Sequence, residues 1–230
     1  MLDLRWTIPV ARWSCWPAGA TAPPDIGFID PLVRRRLSSL SKMALRVAHD
    51  CVGDVSPARL VFASRHGELR RTTGILDDIV AGQLISPTAF SLSVLNAMTG
   101  IYSIARSDRS PATAVSAGAQ TLGYALLEAH ALYSVDPQTP VLVIYADEPA
   151  DARYGAVEHD MPAAALAILL AHDAPDQLAC AAGPAPGEGP PSAFPTQGEA
   201  LMHGLTARAA VSWQGLGRRW QWSLQTGGAQ

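Results

Sequence analysis

Thr113–Tyr133 reads TAVSAGAQTLGYALLEAHALY, and the rest of the chain is organised around it. The stretch opens on small and β-branched residues, Thr113-Ala114-Val115-Ser116-Ala117, which suit a strand. Gly118 supplies a turn. Leu122, Ala125, Leu126, Ala129, Leu132 and Tyr133 then recur at the i, i+3, i+4, i+7 spacing of a helix with one strongly buried face. Strand, small-residue elbow and buried helix form the scaffold on which many acyl-transfer enzymes mount a nucleophile. Here the elbow carries Ala119 and Gln120 and no cysteine.

C-terminal to this stretch, Val135–Pro140 is a turn, and Pro140–Ala146 (PVLVIYA) is an apolar run typical of a buried strand. Strand, helix and strand in this order imply a right-handed crossover and a parallel sheet. Asp147-Glu148 then reads as an exposed loop, although paired carboxylates also invite an acid–base or metal role. Ala163–Ala171 and Leu178–Ala182 suggest two strands joined by the polar turn at 172–176, closing an antiparallel edge on the sheet. Gly183–Gly198 holds nine Gly or Pro residues in sixteen positions, the mark of a linker. Beyond it, a helix through Leu201, Leu205 and Ala209 leads into a Trp-rich tail. The expected division is 1–183 as the main domain, 184–198 as linker and 199–230 as helix and tail. All six tryptophans fall in the first sixteen or last eighteen residues, so the two ends either pack together or present an aromatic surface to a partner.

N-terminal to the elbow, SPTAFSLSVLNAMTGIYSIARS (86–107) has helical spacing through Leu92, Leu95, Met98, Tyr102 and Ala105. Asn96 within it needs a hydrogen-bond partner if buried, as a structural clamp or a site residue. Ala58–Ser64 reads as a buried strand, and Arg65–Glu68 turns into a helix with Leu69, Thr72, Thr73, Leu76, Ile79 and Val80 inward. Ser64, His66 and Glu68 are too close along the chain to converge as nucleophile, base and acid. Asp30-Pro31 opens a helix running to about Cys51, with Arg34, Arg35 and Arg36 on its polar face. Trp6, Ile8 and Val10 alternate as a first strand, followed by a Pro- and Gly-containing loop.

At 230 residues, 48% apolar and 16% charged, the chain suits one domain with a real core. A net charge of −3 with Lys42 as the only lysine leaves no nucleic-acid footprint. Cys15, Cys51 and Cys180 are widely spaced and odd in number, which argues against a metal site or a disulfide framework and makes a reducing cytoplasm the default. Asp3, Arg5, Pro9 and Arg12 interrupt the N-terminal apolar residues, so neither a signal peptide nor a membrane span is expected.

Taken together, SPTAFSLSVLNA, TAVSAGAQ and YADEP resemble the β-ketoacyl synthases, specifically their chain-length-factor relatives, and most closely the short ketosynthase-like proteins of aryl polyene pigment clusters. The resemblance runs from about Asp30 to Gly183. It implies an α/β fold with a mixed sheet flanked by helices, like one half of the thiolase-like fold, followed by a C-terminal tail. Ser86–Ile104, with Asn96, Gly100 and Ser103, is similar to the family's segment that crosses the dimer interface, and Ser107–Gln120 to the strand running into the active-site elbow.

In ketosynthases that strand ends on the nucleophilic cysteine, with a glycine three residues later. Aligning Gly123 with that glycine places Gln120 at the cysteine position, the replacement found in chain-length factors; matching Thr113-Ala114 to the residues before the cysteine places Val115 there instead. Neither side chain forms a nucleophile. None of His49, His66, His130, His159, His172 or His203 matches the two histidines that a ketosynthase's second half supplies. The resemblance therefore implies a non-catalytic partner of a cysteine-bearing β-ketoacyl synthase, without cofactor or metal. Acyl carrier protein would be met only indirectly, and no nucleic acid or membrane is implied. Phe90, Val94, Ala97 and Met98 are candidates for a tunnel floor at the interface, with Asn96 beside them. Two rival readings remain: a serine-based acyltransferase or hydrolase using Ser64, Ser93 or Ser116, which needs a histidine in reach, and a carrier-protein docking module using Arg34–Arg36 and Arg70-Arg71.

Overall fold

The computed structural model describes residues 3–55, 57–186 and 192–227. Three parallel strands, β3 (Arg59–Ala63), β4 (Ala112–Val115) and β5 (Val141–Asp147), form the part of the fold that holds the elbow. β5 is buried along its whole length, which is why its sequence is apolar without alternation. β6 (Ala164–Leu170) runs antiparallel to β5, and β2 (Arg12–Trp16) antiparallel to β6, giving a five-stranded mixed sheet in the order β2-β6-β5-β3-β4.

Successive residues of β5 serve different cores. Leu142, Ile144 and Ala146 share one with Leu60, Phe62 and the apolar face of α2 (Ser39–Val52). Val141, Val143 and Tyr145 share the other with Val61, Ala63 and α6 (Thr121–Val135). A second, wholly antiparallel sheet lies beyond α6, in the order β1-β7-β9-β8, from β1 (Leu4–Val10), β7 (Asp176–Pro184), β8 (Val211–Gly215) and β9 (Arg218–Thr226). α6 and α7 (Gln197–Ala207) pack between the two sheets.

Several expectations need correction. The helix expected from Asp30 to Cys51 is two. Asp30 caps α1 (Pro31–Arg34), and Ser38 restarts the chain as α2 by accepting from the Ser41 amide at 3.0 Å. Segment 86–107 is likewise divided, into α4 (Pro87–Ser91) and α5 (Ala97–Arg106); Asn96 sits at the exposed start of α5 and has no buried amide to satisfy. In α3 (Leu69–Val80) the helix is where the periodicity places it, but only Thr73 and Ile75 are buried. Leu76, Ile79 and Val80 are 49%, 52% and 90% exposed, because nothing among the described residues covers that face.

β6 and β7 do not pair with each other: β6 lies inside the first sheet and β7 inside the second, so the polar turn carries the chain between layers. A hairpin turn and an inter-sheet crossing use the same turn residues, and local sequence does not separate them. β2 was not foreseen. In the tail, Thr196 caps α7, and Leu216-Gly217 (φ 52 and 74) form the two-residue turn that favours the β8–β9 hairpin. The two ends of the chain meet there, with Trp6 edge-on to Trp220 at 6.3 Å and Trp213, Trp220 and Trp222 buried. β7 extends to Pro184, into the stretch read as linker, whose residues 187–191 lie outside the described residues.

Candidate functional site

β4 ends at Val115, and one tight turn (118–120) leads into α6. Gly118 takes φ 59, and Thr121 Oγ1 holds the turn by donating to the Gly118 carbonyl (2.7 Å) and accepting from the Ala117 amide (2.9 Å). Gln120 stands at the N-cap of α6 without capping it; its Oε1 instead accepts from Trp220 Nε1 at 3.0 Å, across to β9. Trp220 is fully buried between Trp6, Tyr124 and Trp222. A Cβ on Gly123 would lie 2.4 Å from its ring. The Gly123 amide donates to Gln197 Oε1 at 2.8 Å, so the first turn of α6 is tied to α7 as well. Val115 is half-buried on β4, whose far edge is unpaired among the described residues.

A polar cluster occupies the carboxyl ends of β3 and β5, where parallel sheets commonly hold their sites. Asp147, expected in an exposed loop, is the buried last residue of β5. Burial pushes its carboxyl above the usual range, against the pull of bonds from Ser64 Oγ (2.7 Å) and the Arg65 and His66 amides (2.9 and 3.2 Å). His66 Nε2 lies 3.0 Å from Asp160 Oδ1, and Arg65 donates to the Glu158 and His159 carbonyls. The cluster fastens the turn after β3 to the loop after β5. Ser64 donates to Asp147, Ser116 to the Arg65 carbonyl (3.1 Å) and Ser93 to the Phe90 carbonyl (2.8 Å), so none of the three candidate hydroxyls meets a histidine.

The thiols are equally unsuited. Burial raises the pKa of Cys15, pushes Cys51 up to about 12 and raises Cys180 further, opposing thiolate formation at all three. Among the described residues no three His, Cys, Asp or Glu side chains come together as a metal site, and no helix is long and apolar enough to cross a membrane.

A family model described as beta-ketoacyl synthase, N-terminal domain, matches residues 8–223, through the elbow and on into β9. The chain belongs to that family. No curated protein matches its sequence. Among solved structures, it is similar to a chain of the ketosynthase (ApeO) in complex with its chain length factor (ApeC) from Xenorhabdus doucetiae, at 24% identity and a TM-score of 0.78, covering 95% of this chain and 99% of that one. It is also similar to the ishigamide ketosynthase/chain length factor (18% identity, TM-score 0.58, 75% of this chain and 65% of that one). A β-ketoacyl synthase from Burkholderia phymatum STM815 follows at 13% identity and a TM-score of 0.55, covering 76% of this chain and 54% of that one. The chain thus spans 65% and 54% of the length of the last two.

Against that ketosynthase fold, the remaining candidates separate. Met98 and Ala97 are buried at the start of α5, whereas Phe90 and Val94 are 62% and 47% exposed. These two share the outside of the α3–α5 region with Leu76, Ile79, Val80 and Leu84, also exposed. Sequence reasoning missed Trp220 and Gln197, and it placed Asp147 in an exposed loop where the structure buries it. The available signal for the first was Gly123, a glycine inside a buried helix, where a close approach from another element is the usual cause.

Proposed function

We propose that this β-ketoacyl synthase-family chain is a non-catalytic chain-length factor, pairing with an active, cysteine-bearing ketosynthase and shaping the tunnel in which its acyl chain grows. The observation that carries this is the elbow: its nucleophile position, in either register, holds Gln120 or Val115, and Gln120 is engaged with Trp220. The reading is supported by the three thiols, whose pKa burial raises, and by Ser64, Ser93 and Ser116, which donate to Asp147 or to backbone carbonyls. Electrostatic stabilisation without a nucleophile does not give a condensing enzyme.

A partner is further supported by the exposed Leu76, Ile79, Val80, Leu84, Phe90 and Val94, a concentration of large apolar side chains of the sort found at interaction surfaces. In this reading Phe90, Val94 and Asn96 face the ketosynthase, Ala97 and Met98 support them from behind, and the open edge of β4 meets the partner's equivalent strand. The setting is a cytoplasmic type II polyketide or fatty-acid-like pathway, of the aryl polyene type. Acyl carrier protein reaches the pair through the active subunit. A carrier-docking role has one observation of its own: Arg71 Nη2 donates to the Arg36 carbonyl at 2.9 Å, setting the two arginine runs side by side.

Co-expression with a cysteine-bearing ketosynthase from the same organism, affinity purification and native mass measurement test the proposal. A one-to-one or two-to-two complex is the expected result, with product length shifted by Phe90→Ala. A well-behaved monomer that binds no ketosynthase offered to it would refute it.

A further inference from the structure

The silence of the elbow is not confined to residue 120. Three elements converge on the first turn of α6. Trp220, on β9, fills the space above Gly123 so closely that even a methyl group has no room. Arg218 supports it from the same strand, with its guanidinium 5.9 Å from the Trp220 ring centroid and donating to Tyr124 Oη at 3.2 Å. Gln197, on α7, occupies the Gly123 amide, one of the unpaired donors at a helix start that would otherwise favour a thiolate or an oxyanion there.

We infer that the C-terminal segment seals the elbow, with Trp220 as the positioning residue that removes acyl-binding space and Gln120 retained as the acceptor that holds it. An indole N–H only donates, and burying it without an acceptor costs free energy. The Gln120 amide oxygen supplies one at 3.0 Å. Gln120 is therefore part of a brace between the helix layer and the second sheet, and reinstating a cysteine there does not by itself recreate a place for an acyl chain. The inference rests on the non-catalytic reading above and adds the residues that enforce it.

The test is thiol labelling by iodoacetamide and by a bulky fluorescein maleimide, followed by peptide mapping at residue 120, on the purified chain or its complex. Gln120 is half-buried and Gln83 exposed; Gln120→Cys is expected to label at least ~10-fold more slowly than the control Gln83→Cys, since Trp220 and its neighbours crowd the approach to the thiol and full access needs local opening. Gln120→Cys/Trp220→Ala is expected to recover most of that difference, and Gln120→Cys/Trp220→Phe, which keeps an aromatic ring, to remain slow. Labelling of Gln120→Cys as fast as the control overturns the inference, as does a Trp220→Phe double variant that labels at the control rate. Should the Trp220→Ala variant not fold, the other two still decide. A folded Trp220→Ala double variant no faster than Gln120→Cys also overturns it. Because labelling needs no ketosynthase, a failure here leaves the pairing proposal standing, and failure to pair leaves this result standing.

Discussion

Replacing Gly123 by alanine adds one methyl group, and its cost follows from where that methyl would sit. An ideal Cβ lies 2.4 Å from Trp220 Cε3 and Cζ3 and 2.7 Å from Cη2. Non-bonded carbons are at ease at about 3.5–4.0 Å, so three contacts are short by about 1 Å each. The indole cannot swing away, because Trp6, Tyr124 and Trp222 surround it and its N–H is fixed to Gln120. Overpacking of this kind costs about 1–3 kcal/mol, against a helix-propensity gain of about 1 kcal/mol for Gly→Ala, for a net loss of up to about 2 kcal/mol. For a chain of this size that lowers the Tm by up to about 8 °C. Gly74→Ala is the control: it lies in α3 with no atom within 4 Å of the added methyl, and is expected to hold or raise the Tm. Thermal unfolding of both variants beside the parent, followed by tryptophan fluorescence, makes the comparison. A Gly123→Ala protein as stable as the Gly74→Ala protein would refute the close approach of Trp220 and the sealed elbow with it.

Arg59 donates to the Leu132, Asp136 and Thr139 carbonyls at 2.7, 2.5 and 2.5 Å, closing the C-terminal end of α6 onto β3; Arg59→Met is expected to cost about 2–3 kcal/mol in urea unfolding. Asp108 offers a pH test. Burial alone would raise its carboxyl pKa, but bonds from Ser110 and the Ala58 amide, with Arg106 nearby, outweigh burial and lower it below 3.8. A depressed folded pKa contributes stability above the unfolded value that is lost as pH falls through the folded one. Asp108→Asn is therefore expected to be less stable than the parent at pH 6–8, with the gap closing below about pH 4; a gap that persists unchanged into acid would contradict the assignment.

The elements around the elbow were legible because each is locally determined. Helical spacing from Leu122 to Tyr133 and the unbroken apolar run at 141–146 leave little alternative to a helix and a strand buried on both faces, and the absence of cysteine from the elbow needs no coordinates to be seen. Asp30 before Pro31 marked a helix start for the same reason: capping is a matter of a few adjacent residues. What tertiary structure decided is which apolar faces meet. α3 has the right period, yet Leu76, Ile79 and Val80 point outward, because periodicity reports that a face is apolar and not what lies opposite it. β6 and β7 differ in sheet although both read as strands, since pairing is settled by distant partners such as β1 and β9. The contact of Gln120 with Trp220 joins residues 100 positions apart, a separation over which no local propensity carries information. The sequence by itself determined that the elbow lacks a thiol; only the packing of β9 against α6 determined that Trp220 lies against Gly123 and bonds to Gln120.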